Sequence, residues 1–222
     1  MADKILIIGD SGSGKSTATK TLDPTTTFFI NVIGKPLPYK GWKGMYRYWD
    51  STKKEGNILK TWDYSAIVKA MKYVSESLPQ VKTIVIDDAQ YIMSFEFMER
   101  ARERGFDKFT EIGQHFFDVL TVADSLREDL VVVFLSHSDE VGGKTKIKTI
   151  GKMLDEKITL EGLFTVVLMA YSYKDSESIM KYVFVTNSNG TNTCKSPEGM
   201  FPMTVPNDLK LILEKFNQYN NQ

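Results

Sequence analysis

Gly9-Asp-Ser-Gly-Ser-Gly14-Lys15-Ser16-Thr17, placed directly after the apolar run Lys4-Ile-Leu-Ile-Ile8, decides the fold. The spacing is G-x-x-x-x-G-K-[ST], with Gly9, Gly14, Lys15 and Ser16 at the fixed positions. Glycines let such a loop turn tightly, so that successive backbone N–H groups converge on phosphate oxygens. A helix opening at Gly14 adds the partial positive charge of its N-terminus. Gly9, Asp10, Ser11, Gly12, Ser13, Gly14, Lys15, Ser16 and Thr17 are therefore the candidate ATP-binding residues. Lys15 reaches the β- and γ-phosphates, and the Ser16 hydroxyl is a ligand for Mg²⁺. A glycine-rich surface turn is the plainer alternative. The strand before the motif and the helical pattern after it, with Ala18 and Leu22, favour the phosphate site.

The pattern repeats outward from this loop. Runs apolar at every position recur at Thr27–Val32, Thr83–Ile86, Leu130–Leu135 and Leu163–Met169. Such runs suit strands covered on both faces, as in a parallel sheet. Helical spacing fills 15–22, 64–77, 92–104 and 112–126 between them. The alternation predicts a parallel sheet flanked by helices, and with the phosphate-loop motif the fold expected is an α/β P-loop NTPase. Met180–Thr186 alternates before the turn cluster Asn187-Ser-Asn-Gly190, which predicts an antiparallel C-terminal addition. Pro206 is expected to open a last helix carrying Leu209, Ile212, Leu213 and Phe216. No repeat or long linker interrupts residues 1–222, so one domain is expected.

The second half of a phosphate site is an acid at the end of another buried strand. Thr83-Ile-Val-Ile-Asp87-Asp88 supplies it, and Asp87 is the expected Mg²⁺ partner through water. Asp88 is a candidate catalytic base, shorter than the glutamate common at this place, or else a cap for the next segment. Glu96 and Asp10 are alternatives for the base. The run Val131-Val-Val-Phe-Leu135 ends in Ser136-His137-Ser138. A strand lying between the loop strand and the acid strand ends beside the γ-phosphate. His137 is then a candidate phosphate sensor, with Ser136 the lesser one. His115 has no such context and reads as structural.

Composition bounds the rest. The 28 Lys+Arg balance 28 Asp+Glu, and 42% hydrophobic residues exclude disorder. The balance argues against a wholly basic nucleic-acid binder but not against a local basic patch. Six bases lie between Tyr39 and Lys60, and Lys144, Lys146, Lys148, Lys152 and Lys157 crowd a second segment. The five arginines stop at Arg127. A single cysteine, Cys194, points to a reducing cytosol, and no run is long enough for a membrane span.

Together, GDSGSGKST, TIVIDDAQY, VVVFLSHSDE, FFINVIGKPLPYKGW and the C-terminal string from Ile150 to Phe201 resemble the phage-encoded RecA-like ATP-binding proteins. The likeness runs over nearly the whole chain. It implies a RecA/AAA-type ATPase in an infected bacterial cytoplasm, working in recombination or single-strand annealing. RecA itself has a catalytic glutamate at the end of the second strand. Here Ile30-Asn31-Val32-Ile33 holds no acid, which shifts weight to Asp88 and implies slow hydrolysis. RecA-like rings and filaments complete the site with a neighbour's cation. With no arginine after 127, Lys195 is the candidate, against a plain solvated turn lysine.

The resemblance also places a DNA-contacting loop at 142–149. Two glycines and the alternate Lys144, Lys146 and Lys148 suit a backbone of phosphates on single-stranded DNA. The alternative is the wet face of a hairpin. Tyr39, Trp42, Tyr46, Tyr48 and Trp49 either stack on bases, hold adenine or a neighbouring subunit, or pack beneath their own loop. Two other classes stay open: a P-loop kinase, which the missing late arginines disfavour, and a nucleotide-dependent oligomeric scaffold.

Overall fold

The opening apolar run forms β1 (Asp3–Gly9), the centre of a nine-stranded sheet in a computed structural model that describes residues 1–151 and 153–220. Lys152, one of the clustered lysines, lies outside the described residues. In chain order there follow β2 (Thr27–Asn31), α1 (Trp42–Met45), β3 (Ile58–Lys60), α2 (Tyr64–Ser77), β4 (Thr83–Asp87), α3 (Tyr91–Glu99) and α4 (Asp107–Thr121). The second half supplies β5 (Val131–Val141), β6 (Lys144–Ile147), β7 (Val166–Lys174), β8 (Met180–Val185), β9 (Thr204–Pro206) and α5 (Leu209–Asn220).

The sheet order is β3-β2-β4-β5-β1-β7-β8-β9, with β6 paired to β5. The first six strands in that order are parallel; β8 and β9 are the antiparallel addition. Successive side chains on a strand point to opposite faces, so a strand apolar at every position feeds two cores. Leu6, Ile8, Phe28, Ile30, Ile84, Ile86, Val132 and Phe134 pack with α2, α3 and α4. Ile5, Ile7, Phe29, Val85, Val133 and Leu135 face the other way, onto α5 and Ala18. The period-2 split explains why the runs show no alternation.

β5 lies between β1 and β4, and its register sets Gly9 beside His137. β2 sets Asn31 beside Asp87. The ends of β1, β2, β4 and β5 therefore meet at one rim, where ligands of open α/β sheets bind.

Several elements differ from the sequence pattern. The helix expected over 15–22 is a 3₁₀ turn, Thr17–Thr21. The Thr19 hydroxyl donates to the Ser16 carbonyl at 2.7 Å and Thr21 to that of Ala18, which takes acceptors from a regular helix. The helix expected over 92–104 stops at Glu99, and α4 starts early, at Asp107. Arg100 turns back to bond Glu96 and Glu103 there, and Gly105 adopts a φ of 93°. Pro206 ends β9, and α5 begins three residues later with the Asp208 carboxylate accepting from the Leu211 N–H.

Candidate functional site

The phosphate loop leaves β1 under close constraint. A Cβ on Gly9 would lie 2.7 Å from the Ala170 carbonyl oxygen and 2.7 Å from Ser13 Oγ, so backbone packs where a side chain would go. Gly14 has a φ of 98°, in the left-handed region. Gly9→Ala is expected to cost about 1–3 kcal/mol of stability through this overlap and to weaken ATP binding. Thermal melts with and without nucleotide check both effects. Lys15 is buried and folds back over its own loop, donating to the carbonyls of Gly9 at 2.6 Å and Asp10 at 2.8 Å. Burial draws its ammonium down to about 8, against the upward pull of Asp88 and Asp87. Ser138 Oγ donates to Asp10 Oδ1 at 2.9 Å, tying the loop to β5.

Ser16 Oγ donates to Asp87 Oδ1 at 2.7 Å across 71 residues of sequence. Asp87 is fully buried; burial and then the charge of Asp88 push its carboxyl up to about 6. Its Oδ2 has no hydrogen-bond partner. A hydroxyl and an underused buried carboxylate side by side are hard oxygen donors of the kind Mg²⁺ takes. The donor set fits that ion.

Asp88 follows in the left-handed region at φ 61°, a conformation aspartate tolerates better than most residues. The turn directs its buried carboxylate toward the loop. Lys35 Nζ lies 2.5 Å from Asp88 Oδ2, and His137 Nε2 is 3.5 Å from Oδ1. Burial lowers Lys35, yet the hydrogen bond and charge of Asp88 outweigh it and hold the ammonium above its ordinary value. Burial, with Lys15 nearby, lowers His137, which favours the neutral imidazole. Lys15, Ser16, Lys35, Asp88, His137 and Tyr182 share one cavity of about 350 Å³ with loop residues Ser11, Gly12, Gly14 and Thr17.

The profile of the AAA domain family matches residues 1–197. The chain belongs to this family. It is thus an AAA domain with an α/β P-loop NTPase fold, as the loop, the acid strand and the strand between them had indicated. No curated protein matches its sequence. Among solved structures it is similar to the genome packaging NTPase B204 from Sulfolobus turreted icosahedral virus 2, in complex with ATP-gammaS. Identity is 12%, coverage 80% of this chain and 78% of that chain, and the TM-score 0.45.

Other candidates in the AAA domain lie elsewhere. Glu96, an alternative base, accepts from Arg100 at 3.0 Å and contacts His115 Nδ1 at 2.8 Å, in a network on α3 and α4 away from the cavity lining. His115 stacks on Tyr64 at 3.7 Å and serves packing. Asp10 is exposed and engaged by Ser138. Lys195 bonds through its backbone to Val167, in register with Leu6, about 10 Å down the strand from the rim. It does not line the cavity of its own chain, and the part expected of it was in a neighbour's site.

Residues 138–147 form a β5–β6 hairpin turning at Gly142-Gly143. Lys144 and Lys148 are exposed, while Lys146 sits opposite Asp139, so an acid shares the lysine ladder. Of the aromatic segment, Tyr46 packs edge-on to Phe29, and Trp49 packs between Phe28 and Tyr73. These rings support their own loop; Tyr48 is the one that is mostly exposed. Cys194 is buried, which pushes its thiol up to about 12.

Three residues in this site escaped the sequence reading. Lys35 has just been placed. Gln90 Oε1, buried, accepts from the His137 N–H at 3.0 Å and Ser136 Oγ at 3.3 Å, joining α3 to the end of β5. Asn31 occupies the β2 end, where its Oδ1 accepts from the Gly34 N–H and its Nδ2 donates to the Lys35 carbonyl, both at 2.7 Å. The absence of an acid at Asn31 was a visible signal. The Gly-Lys-Pro stretch that follows was the other half of it.

Proposed function

We propose that this AAA domain hydrolyses ATP with Mg²⁺ and works on single-stranded DNA in phage recombination or replication, as a homo-oligomeric ring or filament. Ser16 and Asp87 would hold the ion, which when bound supplies positive charge to the phosphate oxygens. Loop N–H groups and Lys15 bind and orient the triphosphate. Asp88 is placed to accept the proton of an attacking water, and neutral His137 to report whether a γ-phosphate is present.

One observation carries the DNA reading. β5 holds His137 at the cavity and continues into the Gly142-Gly143 hairpin, and the Lys148 N–H donates to the His137 carbonyl at 2.9 Å. The proposed sensor and the lysine-bearing hairpin are thus joined by a direct backbone bond, so a shift at one end reaches the other. ATPase measured with and without single-stranded DNA tests the reading, and stimulation is the expected result. Changing Lys144, Lys146 and Lys148 together to alanine should weaken DNA binding and flatten its salt dependence by up to about three phosphate contacts. Unaltered binding and salt slope in that variant would remove DNA from the account.

A second reading, a nucleotide-dependent scaffold with little turnover, is favoured by the pairing of Asp88 with Lys35 and by amide-bearing Asn31 at the end of β2. Assembly that requires ATP but not its hydrolysis, followed by light scattering with ATP and with a non-hydrolysable analogue, separates it from the motor.

A further inference from the structure

The cavity holds two lysines, and one of them is left without work by the loop motif. Lys15 is spent on the phosphate loop. Lys35 comes from the β2–α1 connection and reaches Asp88 across the mouth of the cavity, with its side chain 47% exposed. Its backbone is not loose. Asn31, 1% exposed at the rim, clamps Gly34 and Lys35 through both ends of its amide. Gly34 takes a φ of 78°, and Pro36 and Pro38 restrict the chain just beyond. A buried amide thus holds the backbone that carries the half-exposed Lys35 ammonium into the cavity shared with Asp88 and His137.

We infer that Lys35 is a γ-phosphate ligand and catalytic cation supplied in cis, exchanging its bond to Asp88 for the γ-phosphate oxygens when a triphosphate enters. This rests on the ATPase reading above. The exchange follows from charge: the triphosphate carries more negative charge than one carboxylate, and Lys35 lines the cavity together with the phosphate loop and Asp88. Its departure frees Asp88 Oδ2 at the moment a base is needed. In hydrolysis the water oxygen bonds to the γ-phosphorus while the bridging bond to the β-phosphate breaks, its electron pair leaving on ADP. The water proton passes to Asp88 and then to solvent or to the released phosphate. Lys35 stabilises charge on the phosphoryl oxygens, the task other P-loop enzymes give to an arginine. Asn31 is the positioning residue. A neighbour's cation is then not required, in keeping with the lack of arginine after 127.

Three measurements on the full chain test this. Lys35→Gln should lower turnover about 10²-fold, the scale for losing one preorganised charge donor, while Lys35→Arg retains most of it. In direct titrations, Lys35→Gln should reduce the preference for ATPγS over ADP about tenfold, and Asn31→Ala should reduce the same ratio, which a merely structural role would not move. In an equimolar mixture of Lys15→Ala and Lys35→Gln chains, no activity should return. Unchanged turnover and nucleotide preference in Lys35→Gln would overturn the assignment. Recovered activity in the mixture would overturn supply in cis. If the wild-type chain binds ATPγS but turns nothing over, the ATPase reading fails, and the affinity ratio still decides whether Lys35 touches the γ-phosphate.

Discussion

Lys15→Ala is expected to lower ATP turnover by at least about 10³-fold and to weaken nucleotide binding, because it removes the one ammonium enclosed by the loop itself. The side chain is 6% exposed and bonded to two carbonyls of the loop that would surround the phosphates. Its removal takes away a point charge for the β- and γ-phosphates and also leaves the Gly9 and Asp10 carbonyls without this donor. The wild-type chain should show the matching pH signature. Burial lowers Lys15 to about 8, so the protonated form that attracts phosphate is depleted as pH rises past that value. ATP affinity should therefore fall between about pH 7 and pH 9, whereas in Lys15→Arg it should stay flat, since arginine remains charged. Isothermal titration of ATPγS across that range reads both effects. Undiminished turnover in Lys15→Ala would exclude this loop as the phosphate site.

What was legible in the sequence were features whose chemistry demands particular residue types in a row. The phosphate loop needs glycines, a lysine and a hydroxyl at set spacing, and the five apolar runs mark strands buried in the sheet. Their order was legible too: the expectation that the strand ending in His137 lies between the loop strand and the acid strand matches β5 between β1 and β4. The rest of the site depends on relations no local pattern records. Lys35 matters only because β2 lies beside β4 and sets Asn31 against Asp87. Gln90 looks like any polar residue after a strand until α3 turns its amide onto the end of β5. Asp88 takes its direction from a backbone conformation more usual for glycine. Helical spacing over 15–22 does not record that the hydroxyls of Thr19 and Thr21 bind carbonyls a helix would use.

These relations bear on how the site responds to its ligand. Asp88 and Lys35 come from two different connections and His137 from β5, and each is fixed at its base by a buried amide or a tight turn. The exchange proposed for Lys35 changes partners at side-chain tips, while the backbone beneath them is held. Such a division suits a switch, because the charge distribution can change without melting the rim. β5 is the natural outlet for that change, since it runs from the cavity into the exposed β5–β6 hairpin.

Asp87→Asn should abolish turnover and yet make the chain more stable at neutral pH. Asp87 is 1% exposed; its Oδ1 accepts from Ser16, and its Oδ2 has no partner. Burial and the neighbouring Asp88 push the carboxyl up to about 6, against about 3.9 in an unfolded chain. The folded state therefore binds more protons between those values, and stability falls as pH rises from about 4 to about 6. Above 6 the full cost of the buried charge is present. Asparagine keeps an acceptor for Ser16 and removes the charge, leaving at most an unpaired amide group, which costs less than an unpaired carboxylate. The net gain at pH 7.5 should be on the order of 1–2 kcal/mol, seen as a melting temperature higher by several degrees. The advantage should shrink as pH falls through 6 and vanish near 4. Added Mg²⁺ with ATP should raise the melting temperature of the wild-type chain well beyond that of the variant, because only the wild type keeps the full ligand pair. A variant melting at or below the wild type at pH 7.5 would mean that Lys15 and Lys35 already compensate Asp87. The site would then be built for stability as much as for nucleotide.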